Sequence, residues 1–199
     1  MNNELESSIP EIQKEKEKFE IKSYLTKYLE LQENEINKID FIEAKNLQDQ
    51  YKNQLYFMHD TRLENIKIAI VPDSLWIKGI SSSESHAEKN LILFKQGSFE
   101  KDQNDPNNIA WMVHELAHCQ DYLDDKDNYE IKMQKPAFEN LKSEYTYPNN
   151  QVEKFTFTKQ FKYLKNKGMD REYIFQTLKK HYQPEDLPFF NRLLDRIYK

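Results

Sequence analysis

Apolar side chains recur at helical spacing in two stretches near the start of the chain. Between about residues 11 and 33, Phe19, Ile21, Tyr24, Leu25, Tyr28 and Leu29 fall on one side with Lys and Glu opposite, which predicts an amphipathic helix. Phe41, Ile42, Ala44, Leu47, Tyr51, Leu55 and Tyr56 repeat that spacing between about Asp40 and Met58 and predict a second. The pattern then changes. IKIAIV at 66–71 is a β-branched run closed by Pro72 and Asp73, and NLILFK at 90–95 is set off by the polar SSSESHAEK before it and Gly97 after it. These two runs predict strands that pair in a small sheet.

Further along, NNIAWMVHELAHCQDYLDD is apolar nearly all round, through Ile109, Ala110, Trp111, Met112, Val113, Leu116 and Ala117, as befits a helix inside a core. Asn107 or Asn108 is its expected N-cap. Residues 124–148 are polar and irregular, broken by Pro136 and Pro148. A helix is expected from about 150 to 166, closing on Lys165, Lys167 and Gly168, with Asp170 capping the next one, REYIFQTLKKHY. After Pro184 and Pro188, FFNRLLDRIY predicts a short closing helix. The sum is an α+β, mainly helical fold: a small β-sheet packed on a central helix, with further helices C-terminal to it. We expect an N-terminal helical segment over 1–60 and a compact unit over 61–199. The first helix either packs on that unit or lies over a site as an arm or plug.

Composition narrows the classes. Hydrophobic residues at 38% and aromatics at 13% argue for a folded chain despite 32% charged residues. A net charge of −5, with lysines alternating with glutamates, gives no footprint for a nucleic-acid backbone. The opening MNNELESSIPEIQKEKEKFE carries no signal-peptide pattern, and no run is long enough to span a bilayer. The single cysteine, Cys119, rules out an internal disulfide and points to the cytoplasm. Rotated 100° from His118, it reads as a small buried hydrophobe.

Residues 114–118 read HELAH, the H-E-x-x-H pattern. Positions four apart share a helix face, so His114 and His118 can aim two imidazoles at one metal ion, with Glu115 beside them. A catalytic zinc site normally takes three protein ligands and leaves a fourth position to water. Glu153 is the expected third. It shares a helix side with Phe157, Phe161 and Leu164, and a carboxylate on a core-facing stripe needs a cation. Asn150 and Glu153 also match a capping box, in which the glutamate only caps its own helix. Glu139 and Glu144 are weaker candidates. Asp124 would need a glycine at position 121 to turn back to the metal; Asp121 stands there, so the helix should run on. Asp121 itself is either an acceptor for an imidazole N–H or a solvated acid. Tyr145 and Tyr147 are the tyrosines close enough to be considered as oxyanion donors. His59, His86 and His181 read as surface residues.

HELAH followed by a glutamate on a later helix resembles the gluzincin branch of the zincin metallopeptidases, over residues 66–166. The resemblance implies one Zn²⁺ held by His114, His118 and Glu153, with Glu115 as general base of a peptide-bond hydrolase acting on a peptide or protein substrate. It also implies that NLILFK, standing in the position of an edge strand, grips substrate by strand addition. Lys154 departs from any second family motif after Glu153, which leaves subfamily and substrate open. The competing expectations are a catalytically silent zincin-fold binding or regulatory protein, and a helical protein in which HELAH is accidental.

Overall fold

A computed structural model describes residues 3–47, 59–77, 82–101, 104–139, 141 and 147–199. Helix α1 spans Asn3–Tyr28, followed by strands β1 (Asp40–Glu43), β2 (Lys67–Val71), β3 (Ser83–His86) and β4 (Leu91–Lys95). A one-turn helix α2 (Gln96–Phe99) leads on to α3 (Pro106–Asp124), the short α4 (Tyr129–Gln134), α5 (Gln151–Asn166), α6 (Arg171–Leu178) and α7 (Leu187–Ile197). The sheet has the order β1-β2-β4-β3. β2 and β4 run parallel at its centre, Ile68 opposite Ile92, while β1 and β3 add antiparallel on the two edges.

Apart from Lys67 and Lys95 at their ends, the central strands are apolar because both faces of the sheet are covered. Ile68, Ile92 and Phe94 point into a core shared with α3, α5 and α7. Ala69, Val71, Leu91 and Leu93 point the other way, against Ile21, Leu25 and Leu29 of α1. The alternation along each strand assigns residues to faces with period two. α1 therefore packs on the face opposite α3, and is not a plug. Its buried positions keep the expected spacing, but Phe19 is 73% exposed and belongs to the solvent side.

Three sequence expectations change. Residues 40–47 are not helical: Phe41 and Ile42 pair with Ala69 and Ile68, and Ala44–Asn46 form a 3-10 turn. Phe41 packs toward α1 and Ile42 toward α3, so an apolar pair facing two layers imitated helical spacing. Residues 48–58, the remainder of that expected helix, lie outside the described residues. NLILFK is an inner strand, since the polar Ser83–His86 pairs beyond it and takes the edge. The α3 N-cap is Asp105, whose carboxylate accepts the Asn107 N–H at 2.9 Å, with Pro106 opening the first turn. By contrast Asp170 caps α6, and Gly168, at φ 81°, follows α5 in the left-handed conformation. Among the described residues no helix is long and apolar enough to cross a membrane.

Candidate metal centre

α3 crosses the sheet with its middle turns fully enclosed, which buries the HELAH side chains along with the apolar ones. His114, Glu115 and His118 are 5%, 5% and 8% exposed. α5 lies along α3 and contributes Glu153 from its first turn, 6% exposed. The start of α5 is fixed by two asparagines. Asn149 bonds through its amide to both the N–H and the C=O of Phe138, and Asn150 accepts the Glu153 N–H at 2.8 Å.

That last bond is one half of a capping box. The other half is absent: the Asn150 N–H donates to the Pro148 carbonyl, and the Glu153 carboxylate turns toward the histidines. One carboxylate oxygen lies 3.5 Å from His114 Nε2 and the other 3.6 Å from His118 Nε2, while the two Nε2 atoms are 3.1 Å apart. Donor atoms 2.0–2.1 Å from a shared tetrahedral ion stand about 3.3 Å from one another. The observed separations of 3.1–3.6 Å lie close to that value, with each Glu153 oxygen facing one imidazole. His114, His118 and Glu153 thus form a buried group that could hold a metal ion.

Both imidazoles are oriented from behind. His114 Nδ1 meets Gln160 Oε1 at 3.1 Å, and His118 Nδ1 meets the Tyr129 hydroxyl at the same distance. An amide oxygen only accepts, so His114 carries its proton on Nδ1 and turns the Nε2 lone pair toward the centre. A single N–H···N bond between the two imidazoles would also satisfy the Nε2 pair. Burial pushes Glu153 up to about 8, with Glu115 adding to the effect, while burial draws His118 down to about 4 and His114 well below its usual value. No group in this cluster holds its charge comfortably, and a divalent cation would restore the balance.

Glu115 accepts a hydrogen bond from Ser83 Oγ on β3, at 2.8 Å. Burial nevertheless raises its carboxyl to about 8. A cleft of about 450 Å³ adjoins the cluster, walled by Ala110, Trp111, Gln160, Tyr147 and Tyr182. The hydroxyls of Tyr147 and Tyr182 stand 3.4 Å apart.

Other expected residues fall elsewhere. Asp121 is buried and accepts from Lys132 Nζ at 2.8 Å, so it is neither a solvated acid nor an imidazole acceptor, both Nδ1 atoms being engaged by Gln160 and Tyr129. α3 runs through position 121, and Asp124 pairs with Arg62 on the surface. Glu139 is exposed; Tyr145 and Glu144 lie outside the described residues. His86 is buried, its Nδ1 2.8 Å from the Tyr24 hydroxyl, which corrects its reading as a surface residue, whereas His59 and His181 are exposed. Cys119 is buried, and burial pushes its thiol up to about 12, as suits a packing residue. Ser83, Tyr129 and Gln160 belong to no sequence motif. Gln160 alone left a signal, seven residues after Glu153 and so on the same side of α5.

No protein-family model, curated protein or solved structure matches this chain.

Proposed function

We propose that the protein is a zinc-dependent hydrolase of peptide bonds, working as the gluzincin resemblance implies. The reading is carried by one observation, the convergence of His114, His118 and Glu153 from two helices with donor atoms all within 4.8 Å of one another. Zinc in such a site supplies Lewis acidity, making water nucleophilic near neutral pH and polarising the carbonyl under attack. Glu115 takes the proton of the attacking water and hands it to the leaving amine. Ser83 holds one oxygen of Glu115, which leaves the other for that proton. Substrate lies along the β3 edge as an added strand, and the adjoining cleft receives a side chain. Tyr147, on the cleft wall, donates to the developing oxyanion.

A buried, intact Glu115 favours an enzyme over a silent binding protein, because zinc needs only the three ligands to stay bound. The test is zinc stoichiometry paired with cleavage of a peptide library. Wild type is expected to bind one zinc and cut. Glu115→Gln is expected to keep the zinc and to lose at least roughly a hundredfold in rate. Zinc loss in that variant, or an undiminished rate, contradicts the role given to Glu115. A zinc-loaded wild type that cuts nothing overturns the hydrolase.

A further inference from the structure

On the surface turned away from the sheet, α5 and α7 enclose a groove of about 500 Å³. Lys154, Lys162, Lys165 and Arg196 line it, together with Thr158 and Leu193. Arg192 joins them from one turn earlier on α7: its guanidinium, that of Arg196 and the Lys154 ammonium all lie within 6 Å of the Phe138 ring centre, at 5.5, 4.9 and 5.6 Å. None of these five cations forms an ion pair with a carboxylate among the described residues. Four of them instead meet aromatic faces, and the Ile197 carbonyl also accepts from Lys165 Nζ at 2.6 Å.

The clustering runs against the rest of the chain. Residues 150–199 carry eleven Lys and Arg against six Asp and Glu, within a protein whose total charge is −5. Of the acids on the two flanking helices, Glu153 is buried in the metal centre and Asp195 is held by Arg171. Lys162 and Lys165 are three apart on α5, and Arg192 and Arg196 are four apart on α7, so both pairs are like-charge neighbours that disfavour their own helices. Helix-end placement favours Lys165 and Arg196, and the Phe138 ring holds Lys154 and Arg192, but neither effect calls for Lys162 or for all five cations lying along one groove.

We propose that this groove docks an acidic polypeptide segment. From Lys154 to Lys165 is eleven residues of helix, about 16 Å, so the charges are strung along a line instead of converging on one point. That layout matches several carboxylates spaced along a chain better than a single phosphate. The apolar floor at Leu193 and Ile197 suits interspersed hydrophobic side chains, and Thr158 offers a hydroxyl to the peptide backbone. Nucleic acid fits less well, since the chain as a whole carries a net charge of −5, which works against a longer polyanionic backbone. The inference is independent of the metal centre and stands or falls without it.

The probe is a fluorescently labelled ten-residue peptide alternating glutamate with leucine, titrated with the full chain and followed by anisotropy. Binding is expected at 50 mM salt, weaker at 200 mM, and weaker by at least roughly tenfold in a Lys162→Glu, Arg196→Gln variant. Both positions are exposed, and an unchanged circular dichroism spectrum checks that the variant folds. If it does not fold, Lys162→Gln together with the wild-type salt series decides the matter. Absence of peptide binding, binding insensitive to salt, or equal binding by the variant overturns the proposal. So does a ten-residue oligothymidylate that binds as tightly as the peptide, which would make the groove a nucleic-acid site.

Discussion

On one face of the sheet, Ile21, Leu25 and Leu29 of α1 close over Ala69, Val71, Leu91 and Leu93, and burial of apolar surface is enough to hold the layers together. On the other face, α3 and α5 also bury apolar side chains, but they enclose two histidines and two glutamates among them. The polar groups that α1 brings to the sheet lie near its edge, where Tyr24 meets His86 and Tyr28 donates to Glu84 at 2.7 Å, close to solvent. The α3 face instead places its ionisable groups where desolvation is greatest. A layer that needed only stability would resemble the α1 face. The contrast fits the proposal that the α3 face gives up stability for a metal site, where a bound cation would return part of it.

The sharpest way to break this comparison is to truncate one residue on each face and measure unfolding with and without zinc. Leu25→Ala leaves a cavity beneath α1 and is expected to cost about 2–5 kcal/mol in both conditions. Free zinc at a thousand times its dissociation constant is expected to add about 4 kcal/mol to wild type and to Leu25→Ala alike. Glu153→Gln is expected to behave in the opposite way: as stable as wild type or more so without metal, because a buried carboxyl is removed, yet gaining little from zinc. A zinc increment that fell with Leu25→Ala and survived in Glu153→Gln would show that the two faces are not separable as described.

A smaller effect is expected from the groups behind the histidines. Tyr129→Phe and Gln160→Leu leave all three ligands in place but release one Nδ1 each. Zinc affinity, measured by competition with a chelator, is expected to fall about 10–100-fold in each variant. An unchanged affinity would mean that packing alone orients the imidazoles, for instance the Phe157 ring 4.4 Å from that of His114.

How much of this was legible in the sequence followed the range over which each signal acts. HELAH carries its geometry inside one helix, so the meeting of His114 with His118 could be read directly. Glu153 could be read as inward-facing, but its choice between capping and facing the histidines depended on the Asn150 N–H finding Pro148, a local detail with no sequence signature. β1 imitates a helix in the sequence because Phe41 and Ile42 serve two different layers. β3 was passed over because SESH is polar, although an edge strand needs little apolar surface when Ser83 and Ser85 contact Glu115 and Cys119. The cationic groove escaped notice because its charges come from helices some thirty residues apart. Each helix looks ordinary alone.

The smallest expected effect lies at the β1 edge, where electrostatics acts close to water. Glu43 pairs with Lys45 at 2.7 Å and with Lys67, and these two ammonium groups, Lys45 foremost, hold its carboxyl down at about 2. A depressed carboxylate pKa means that the unfolded chain takes up the proton first as pH falls. The contribution of Glu43 is therefore fully present above about pH 5 and is lost progressively as pH falls toward 2. Its partly exposed position limits the size to about 1 kcal/mol or less. Urea unfolding of wild type and Glu43→Gln is expected to show that difference at pH 6 and only a small part of it at pH 2. Zinc binding at pH 7 should be the same in both, because β1 is one edge of the sheet and Glu115 meets β3 at the other. A difference that persists unchanged at pH 2 would instead assign the loss to packing at the strand edge, and would remove charge from the account of how β1 is held.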